Sequence, residues 1–377
     1  MTDAFDKVVG QPKVRDFLRT SVRTGRVSHA YLFCGPKGSG KRRAAFALAK
    51  ALLCEKGGCD ACDVCKRIER RKHPDVHYLK PEGASRQYLV EQIREIVANV
   101  ALAPIQSKRK VYIIHEADRM SASSANAFLK TLEEPPEDVV IILTSITRAN
   151  VLPTLTSRCQ VVPFPAIPAE RAAEIVVQHT GASVEQARYA LGACDGSITR
   201  SVEFLRSNEQ LAFRRTVLRL LCDLRTSDSW DITSAVRDLM VQVKAPLDVV
   251  RARQEAELAE NADFLAKSAI RQIEARNKRE LSARTRESVD QITSIANSFL
   301  RDVLATCAGT PEFVVNVDVR AQIEDVAAYT DEARVVGAYT AVSRCNDALD
   351  SNVSTQTCID ALFFEIREAL YGSHSAC

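Results

Sequence analysis

A glycine-rich loop between an apolar run and a helical pattern restricts the possible fold more than any other feature of the sequence. The loop, GPKGSGKRR, spans residues 35–43 and has the G-x-x-x-x-G-K spacing of a phosphate-binding loop. The apolar run AYLFC precedes the loop directly, and KRRAAFALAKALL follows it with helical character. Because a strand that leads through such a loop into a helix is typical of parallel α/β sheets, the sequence predicts one here.

The distribution of strand-like runs divides the chain into two parts. Runs of this kind alternate with helical patterns up to about residue 165, as expected for a parallel sheet covered on both faces. From Pro168 onward the pattern becomes helical. The predicted fold class is therefore α/β followed by all-α. The predicted strands are AYLFC (30–34), DVHYL (75–79), KVYIIH (110–115), VVIILTS (139–145) and QVVPF (160–164).

Composition and charge exclude several classes of protein. The 377 residues suffice for two or three domains, and 46% hydrophobic with 26% charged residues is ordinary for a globular protein. A formal charge of +3 is too small to indicate nucleic-acid binding by itself. The sequence shows no apolar stretch long enough to span a bilayer, and its first residues lack the apolar core of a signal peptide. We therefore expect a cytoplasmic protein with no membrane partner.

The loop residues have defined roles if the loop binds a nucleotide. Gly35, Gly38 and Gly40 would let backbone N–H groups approach phosphate oxygens, and Lys41 would reach the β- and γ-phosphates. The next residue normally carries the hydroxyl that holds magnesium, but here it is Arg42. Whether ATP or ADP still binds is left open by the sequence.

The strand VYIIHEADRM supplies the second half of such a site. Glu116 stands where a water-activating glutamate is expected, but His115 stands where an aspartate would hold magnesium. Magnesium prefers oxygen ligands, so an imidazole is a poor replacement. Since both groups expected to hold the metal are changed, the sequence predicts a site that does not hydrolyse ATP.

A second motif, CEKGGCDACDVC, concentrates four cysteines in a short segment. Cys54, Cys59, Cys62 and Cys65 have the spacing C-x4-C-x2-C-x2-C. Four thiolates with such spacing are typical of a closed, structural zinc site. A redox-active C-x-x-C pair or free thiols are the alternatives, and neither explains four cysteines so close together.

The order of these motifs resembles the AAA+ clamp-loader subunits of bacterial DNA polymerase III, and among them the delta-prime subfamily. The resemblance runs from Val8 to about Phe164 and is weaker beyond. It rests on VVGQPKVRDFL, SHAYLFCGPKGSGKR, the four-cysteine insert, HPDVHYLKPEG, VEQIREI, ADRMSASSANAFLKTLEEPP, VLPTLTSRCQ, and more thinly GSITRS (196–201), SFLRDVL (298–304) and NVD (316–318).

This resemblance implies an arrangement of three domains. Residues 1–166 would form a RecA-like AAA+ domain that carries a zinc module at 54–65. Residues 167–206 would form a small helical lid. Residues 207–377 would form a helical collar domain through which the subunit joins a pentameric ring.

The resemblance also implies roles for three further residues. Arg158, in TSRC, matches the arginine finger that clamp-loader subunits present to ATP bound by a neighbouring subunit, where its planar, always charged fork suits phosphate oxygens. Thr144 matches the polar residue that senses the γ-phosphate. Arg200 matches the arginine of the lid.

The function implied is that of a non-hydrolysing subunit that helps load the sliding clamp onto primed DNA. Its partners would be the tau/gamma-type ATPase subunit, the delta subunit and the clamp, with DNA reached through the assembly. An active tau/gamma-type ATPase is the alternative, opposed by Arg42 and His115. A stand-alone zinc-dependent nucleic-acid-binding protein is opposed by the charge of +3 and by the lack of a basic stretch with interleaved aromatic residues.

Overall fold

The computed structural model describes residues 3–81, 87–194, 196–261, 267–351 and 353–372. These residues divide into two compact units. The first contains Met1–Ile175 with Gly196–Thr199, and the second contains Val176–Asp195 with Arg200–Cys377. The predicted boundaries of three domains, after residues 166 and 206, stay predictions.

The first unit is built on a parallel sheet of five strands in the order β2-β3-β4-β1-β5. Each predicted apolar run contains one strand, and the predicted class, α/β with a parallel sheet followed by all-α, is confirmed. The strands are β1 (Ala30–Cys34), β2 (Val76–Leu79), β3 (Lys110–Ile114), β4 (Val139–Ser145) and β5 (Gln160–Pro163).

Side chains of the central strands alternate between two apolar layers, because successive residues of a strand point to opposite faces. Tyr31 and Phe33 of β1 pack in one layer, whereas Leu32 packs in the other. Helices cover both layers, so β1, β3 and β4 are buried throughout. The helices of this unit are α1 (Pro12–Arg23), α2 (Lys41–Leu53), α3 (Asp63–Glu69), α4 (Val90–Val100), α5 (Ala122–Glu133), α6 (Pro153–Thr156) and the first part of α7 (Ala169–Thr180).

The carboxyl ends of parallel strands meet at one edge of the sheet, and this edge collects the polar residues of the candidate site. The glycine-rich loop follows β1, and His115 with Glu116 follows β3. Thr144 lies near the end of β4, and Lys80 follows β2. A short 3-10 helix at Ala4–Lys7 precedes α1, and another follows Glu116 at Ala117–Arg119.

The described residues of the second unit form helices joined by short loops, and they contain no strand. Its core contains apolar residues of the helix Lys267–Cys307 that recur every three or four positions, such as Val289, Ile292, Ala296 and Phe299, as expected for a helix packed along one stripe. The helices are α8 (Val184–Ala193), α9 (Ile198–Arg206), α10 (Asn208–Asp223), α11 (Ser229–Asn261), α12 (Lys267–Cys307), α13 (Arg320–Ala327), α14 (Glu332–Asp350) and α15 (Thr355–Tyr371).

Candidate phosphate-binding site and cysteine cluster

The glycine-rich loop makes close backbone contacts that exclude larger residues. A Cβ added at Gly35 would lie 2.1 Å from the carbonyl oxygen of Phe164. Gly38 has a φ of +79°, and a Cβ there would lie 2.5 Å from the carbonyl oxygen of Gly196. Gly40 is the N-cap residue of α2. The glycines therefore allow the loop to fold tightly at the start of α2, as a phosphate-binding loop requires.

The ammonium group of Lys41 lies inside this loop. Its Nζ donates to the carbonyl oxygens of Gly35 and Pro36, the latter at 2.8 Å, and lies 3.4 Å from Oγ of Ser39. Burial lowers the pKa of Lys41 to about 8. The N–H donors of the Lys41 ammonium are thus used by carbonyl oxygens of the loop. A bound phosphate would replace these carbonyl oxygens as the acceptor.

A cavity of about 390 Å³ adjoins the loop through Gln11. Gln11 is buried, and its Nε2 donates to the carbonyl oxygens of Ser39, at 3.1 Å, and Pro165, at 2.7 Å. The cavity is lined by Asp6, by residues 8–12, by Arg15 and by Arg171. Gln11 therefore joins the loop to a partly apolar space of the size usual for small ligands.

The structure brings together His115, Glu116 and Thr144, as the strand ends predict. Nδ1 of His115 lies 3.0 Å from Oγ1 of Thr144, and the same hydroxyl accepts from the backbone N–H of Glu116 at 3.3 Å. Nε2 of His115 lies 3.5 Å from Oε1 of Glu116. Glu116 has a φ of 54°, a left-handed conformation that is uncommon outside glycine and often found at functional sites.

Positive charge surrounds His115. Burial and the nearby charges of Lys80 and Arg42, with smaller effects of Lys41 and Arg71, lower the pKa of His115 to about 3. The guanidinium of Arg71 lies 4.3 Å from the centre of the Tyr78 ring, and that ring stacks on His115 at 6.2 Å. At neutral pH the imidazole is therefore neutral and has several cations as neighbours.

A magnesium ion, which this type of loop normally binds with its nucleotide, does not fit these residues. Magnesium takes six oxygen ligands in near-ideal octahedral geometry. At the two positions that would hold it stand the guanidinium of Arg42 and the imidazole of His115, which already contacts Thr144. These two positions therefore lack the usual oxygen ligands. The permanent charge of the guanidinium also repels the ion, and a neutral imidazole binds it weakly.

The four cysteines of the second motif form a compact cluster between α2 and α3. The sulfurs of Cys54, Cys59, Cys62 and Cys65 all lie within 4.8 Å of one another. The sulfur of Cys54 lies 3.8 Å from that of Cys59 and 3.6 Å from that of Cys62. A tetrahedral zinc ion with Zn–S bonds of about 2.3 Å requires sulfurs separated by about 3.8 Å. The cluster therefore has the dimensions of a four-thiolate site.

Backbone hydrogen bonds and a nearby ion-pair group stabilise the segment that carries the cluster. Hydrogen bonds from the backbone N–H groups of Ala61 and Cys62 lower the pKa of Cys59 to about 6, which favours the thiolate. Outside the sulfur cluster, the buried ammonium of Lys50 pairs with Asp60, at 2.5 Å, and with Glu69. This pairing links α2 to the middle of the motif, at Asp60, and to α3, at Glu69.

Arg158 lies between α6 and β5 and is part of a local network. Its Nε donates to Oε1 of Glu133 at 2.8 Å, and its Nη1 donates to the carbonyl oxygen of Thr154 at 2.8 Å. Its guanidinium is one-third exposed. None of its hydrogen-bond partners belongs to the glycine-rich loop, so Arg158 does not serve the loop of its own chain through these contacts.

Arg200 lies in α9 and belongs to the second unit. Just before it, Thr199 belongs to the first unit and accepts a hydrogen bond from Nε of Arg43 at 2.8 Å. The segment 196–199 therefore contacts the beginning of α2 and the loop.

Several residues of this site had no predicted role. Gln11 and Lys80 lie in segments that carry the resemblance, and Arg71 lies just before one of them, but only the fold shows their contacts with the site. Lys80 has a signal that sequence can provide, because it directly follows β2 and so stands at the carboxyl edge of the sheet. Gln11 and Arg71 have no comparable local signal.

Comparison with known families supports the resemblance that the motifs suggest. The family model described as "DNA polymerase III, delta subunit" matches residues 10–168, which include the loop, the cysteine cluster and Arg158. The match covers less than half of the chain. The matched segment ends at the beginning of α7, so the second unit lies outside it.

Two curated relatives are named as different subunits of DNA polymerase III. The chain is 37% identical to DNA polymerase III subunit delta' of Bacillus subtilis over 213 residues, which is 56% of this chain and 64% of that protein. It is 42% identical to subunit tau of Escherichia coli over 159 residues, which is 41% of this chain and 24% of that protein. The chain thus covers less than two thirds of either relative.

A solved structure, a DNA polymerase III gamma subunit-related protein of Thermotoga maritima, aligns with a TM-score of 0.45 and 16% identity. The alignment covers 94% of this chain and 99% of that one. Among the described residues, no helix combines the length and the apolar character that crossing a membrane requires.

Proposed function

We propose that this chain is a non-hydrolysing clamp-loader subunit of the delta-prime type. In this proposal it assembles with tau/gamma-type ATPase subunits and a delta subunit into a pentameric ring. The ring opens the sliding clamp and places it on primed DNA, using ATP hydrolysed at neighbouring subunits. Residues 1–166, 167–206 and 207–377 serve as its AAA+ domain, lid and collar, and Arg200 as the arginine of the lid.

The observation that carries the proposal is the exchange at both magnesium positions. A motor subunit needs a hydroxyl at the position of Arg42 and a carboxylate at the position of His115, because both hold the ion that neutralises charge in phosphoryl transfer. Glu116 and Thr144 remain in place beside His115, but without the ion they have no reaction to promote. This combination favours a subunit that keeps the architecture of an ATPase site and has lost turnover.

Two further parts of the proposal concern contributions to the assembly. Arg158 acts in trans, as an arginine finger directed to ATP on a neighbouring subunit. The four clustered cysteines hold one structural zinc ion, which would satisfy the thiolates of an otherwise small, loop-rich segment. The partial exposure of Arg158 supports the role as an arginine finger. The spacing of the sulfurs supports the zinc site.

Assembly is the direct test of the proposal. The purified chain is mixed with the ATPase, delta and clamp proteins of the same organism, and the complexes are measured by native mass spectrometry. We expect the chain to enter a ring with the ATPase and delta subunits. Rings that form without it, in the presence of an excess of folded chain, would contradict the proposal.

An active tau-type ATPase is the second candidate, and the identity of 42% to subunit tau of Escherichia coli is the observation that favours it. The isolated chain is assayed for ATP hydrolysis with magnesium, beside Lys41→Ala. We expect no turnover above background from either protein. Turnover that needs magnesium and is abolished by Lys41→Ala would favour the tau-type alternative.

A further inference from the structure

The two magnesium positions carry groups that can do something other than hold a metal. Arg42 is the second residue of α2 and is half-buried beside the glycine-rich loop. We propose that the loop binds the phosphate chain of a nucleotide without a divalent cation, and that Arg42 supplies the positive charge that magnesium supplies in an active site. This inference rests on the non-hydrolysing function proposed above and defines what its loop binds.

The balance of charge around the loop supports an anionic ligand. Four cations act together on the half-buried imidazole of His115, and the carboxylates that act on Lys41 are Glu116 and Asp118. The four cations are Lys41, Arg42, Arg71 and Lys80. In an active site the position of His115 carries a carboxylate, whose negative charge holds magnesium and offsets part of the positive charge. Its replacement by a neutral imidazole removes one negative charge from this edge of the sheet, while the cations remain.

A guanidinium is well suited to this role. It keeps its charge at any physiological pH, and its planar fork can donate two hydrogen bonds to phosphate oxygens. Arg42 stands in the first turn of α2, where backbone N–H groups and the helix dipole also favour an anion. A half-buried guanidinium interacts with phosphate more strongly than an exposed one, since less water screens the pair.

The neighbouring cavity favours a nucleotide over inorganic phosphate. Val8, Val9 and Pro12 line it with apolar surface, and Gln11 connects it to the carbonyl oxygen of Ser39 in the loop. A base in the cavity would place its phosphates toward the loop. Lys41 would then exchange its hydrogen bonds with the carbonyl oxygens of Gly35 and Pro36 for bonds with phosphate.

The test is isothermal titration of the isolated chain with ATP, once in excess EDTA and once in excess magnesium. We expect affinities that agree within about threefold. Arg42→Ser removes charge-assisted hydrogen bonds and should weaken binding in EDTA by about 10- to 100-fold. The matched control is Lys130→Ser, which removes an exposed cation on α5 and should leave binding unchanged.

A second variant tests the same inference in the opposite direction. Arg42→Ser combined with His115→Asp restores the usual oxygen ligands, so binding should become weaker in EDTA and stronger with magnesium. Circular dichroism first establishes that each variant is folded. Wild-type binding that requires magnesium, or no binding of ATP in either condition, would overturn the inference. Ring assembly by the same wild-type protein tests the proposed function separately. A failure of the nucleotide-binding inference can therefore be distinguished from a failure of the proposed function.

Discussion

The guanidinium of Arg158 donates to the carboxylate of Glu133 at 2.8 Å, from just after α6 to the end of α5. Exposed ion pairs of this kind contribute little stability, typically below about 1 kcal/mol. A pair this weak leaves the guanidinium available to a partner. This geometry permits an experiment that separates a role in trans from a structural role.

Replacing Arg158 with Ala should slow ATP hydrolysis in reconstituted rings and impair clamp loading, while the ring still assembles. Arginine fingers supplied in trans are worth about 10³–10⁵ in the rate of a single site, but a ring keeps its other sites, so total turnover should fall less. Arg158→Lys should rescue poorly, because an ammonium lacks the planar fork. The measurement is ATPase activity stimulated by DNA and clamp, at equal assembly.

The matched control for this prediction is Glu133→Ala. It removes the same ion pair but leaves the guanidinium in place, so we expect ATPase activity close to wild type. Equal losses in Glu133→Ala and Arg158→Ala would show that the pair has a structural role. Unchanged rates in Arg158→Ala would show that the arginine is not a finger.

The cysteine cluster should bind one zinc ion per chain. Cys62→Ala should lower the zinc content and the thermal stability, because four-thiolate sites contribute folding free energy directly. Cys307→Ala, outside the cluster, is the control and should keep the zinc. Metal content is measured by plasma mass spectrometry, and stability by thermal unfolding. Zinc should be released as the pH falls, since protons compete for the thiolates. Purified protein without zinc and with reactive thiols at the cluster would contradict this prediction.

His115 should make stability depend on pH on the acid side. Its pKa is about 3 in the folded chain, against about 6.5 when unfolded, so between these values the unfolded state binds more protons. The stability contributed by the neutral imidazole is complete above about pH 6.5 and is lost as the pH falls toward 3, by at most about 1.4 kcal/mol per pH unit.

His115→Gln removes this titrating imidazole and should reduce the slope of the unfolding free energy against pH between about 6.5 and 4. The imidazoles of His73 and His77, whose pKa values are also lowered by burial, keep their share of the slope. The control is His29→Gln at an exposed position, which should keep the slope of the wild type. Denaturant unfolding at a series of pH values measures the slope. The same slope in His115→Gln and wild type would show that the imidazole is protonated in the folded protein.

Asp302 should be a critical residue of the helical unit. It is fully buried, and its Oδ2 accepts from the backbone N–H groups of Val315, at 3.0 Å, and Asn316, at 2.6 Å. Asn316 in turn accepts from buried Arg214 at 2.8 Å, and Arg214 also pairs with Asp318 at 2.6 Å. Asp302→Ala removes the acceptor of the backbone N–H groups of Val315 and Asn316 and should destabilise the unit by about 2–5 kcal/mol.

The control for this prediction is Asp238→Ala, which removes an exposed carboxylate from α11. Urea unfolding, followed by helical circular dichroism, should show a change below about 0.5 kcal/mol for the control. A similarly small change for Asp302→Ala would mean that water replaces the lost carboxylate.

This network also connects the two short motifs that carry the sequence resemblance in the helical unit. The segments at 298–304 and 316–318 were matched only as isolated motifs. In the fold, Nδ2 of Asn316 donates to both Ser298, at 3.0 Å, and Asp302, at 2.8 Å. The two motifs are therefore two parts of one buried polar network.

The sequence by itself determined the features that depend on local order along the chain. Alternating apolar runs predicted the five strands, because a buried strand must be continuous in sequence. The spacing of the glycines with Lys41 and of the four cysteines predicted the loop and the cluster, since both motifs close over a few residues. The exchanges at Arg42 and His115 were visible for the same reason.

The tertiary structure alone decided which distant residues meet. The order of the strands brings Thr144 beside His115, and the folding of α3 brings Arg71 over Tyr78. Arg158 pairs with Glu133, and Arg214 with Asp318, across 25 and 104 positions of the chain. Such contacts arise from the packing of whole elements, whose free energy is summed over many side chains, so no local pattern of residues specifies them.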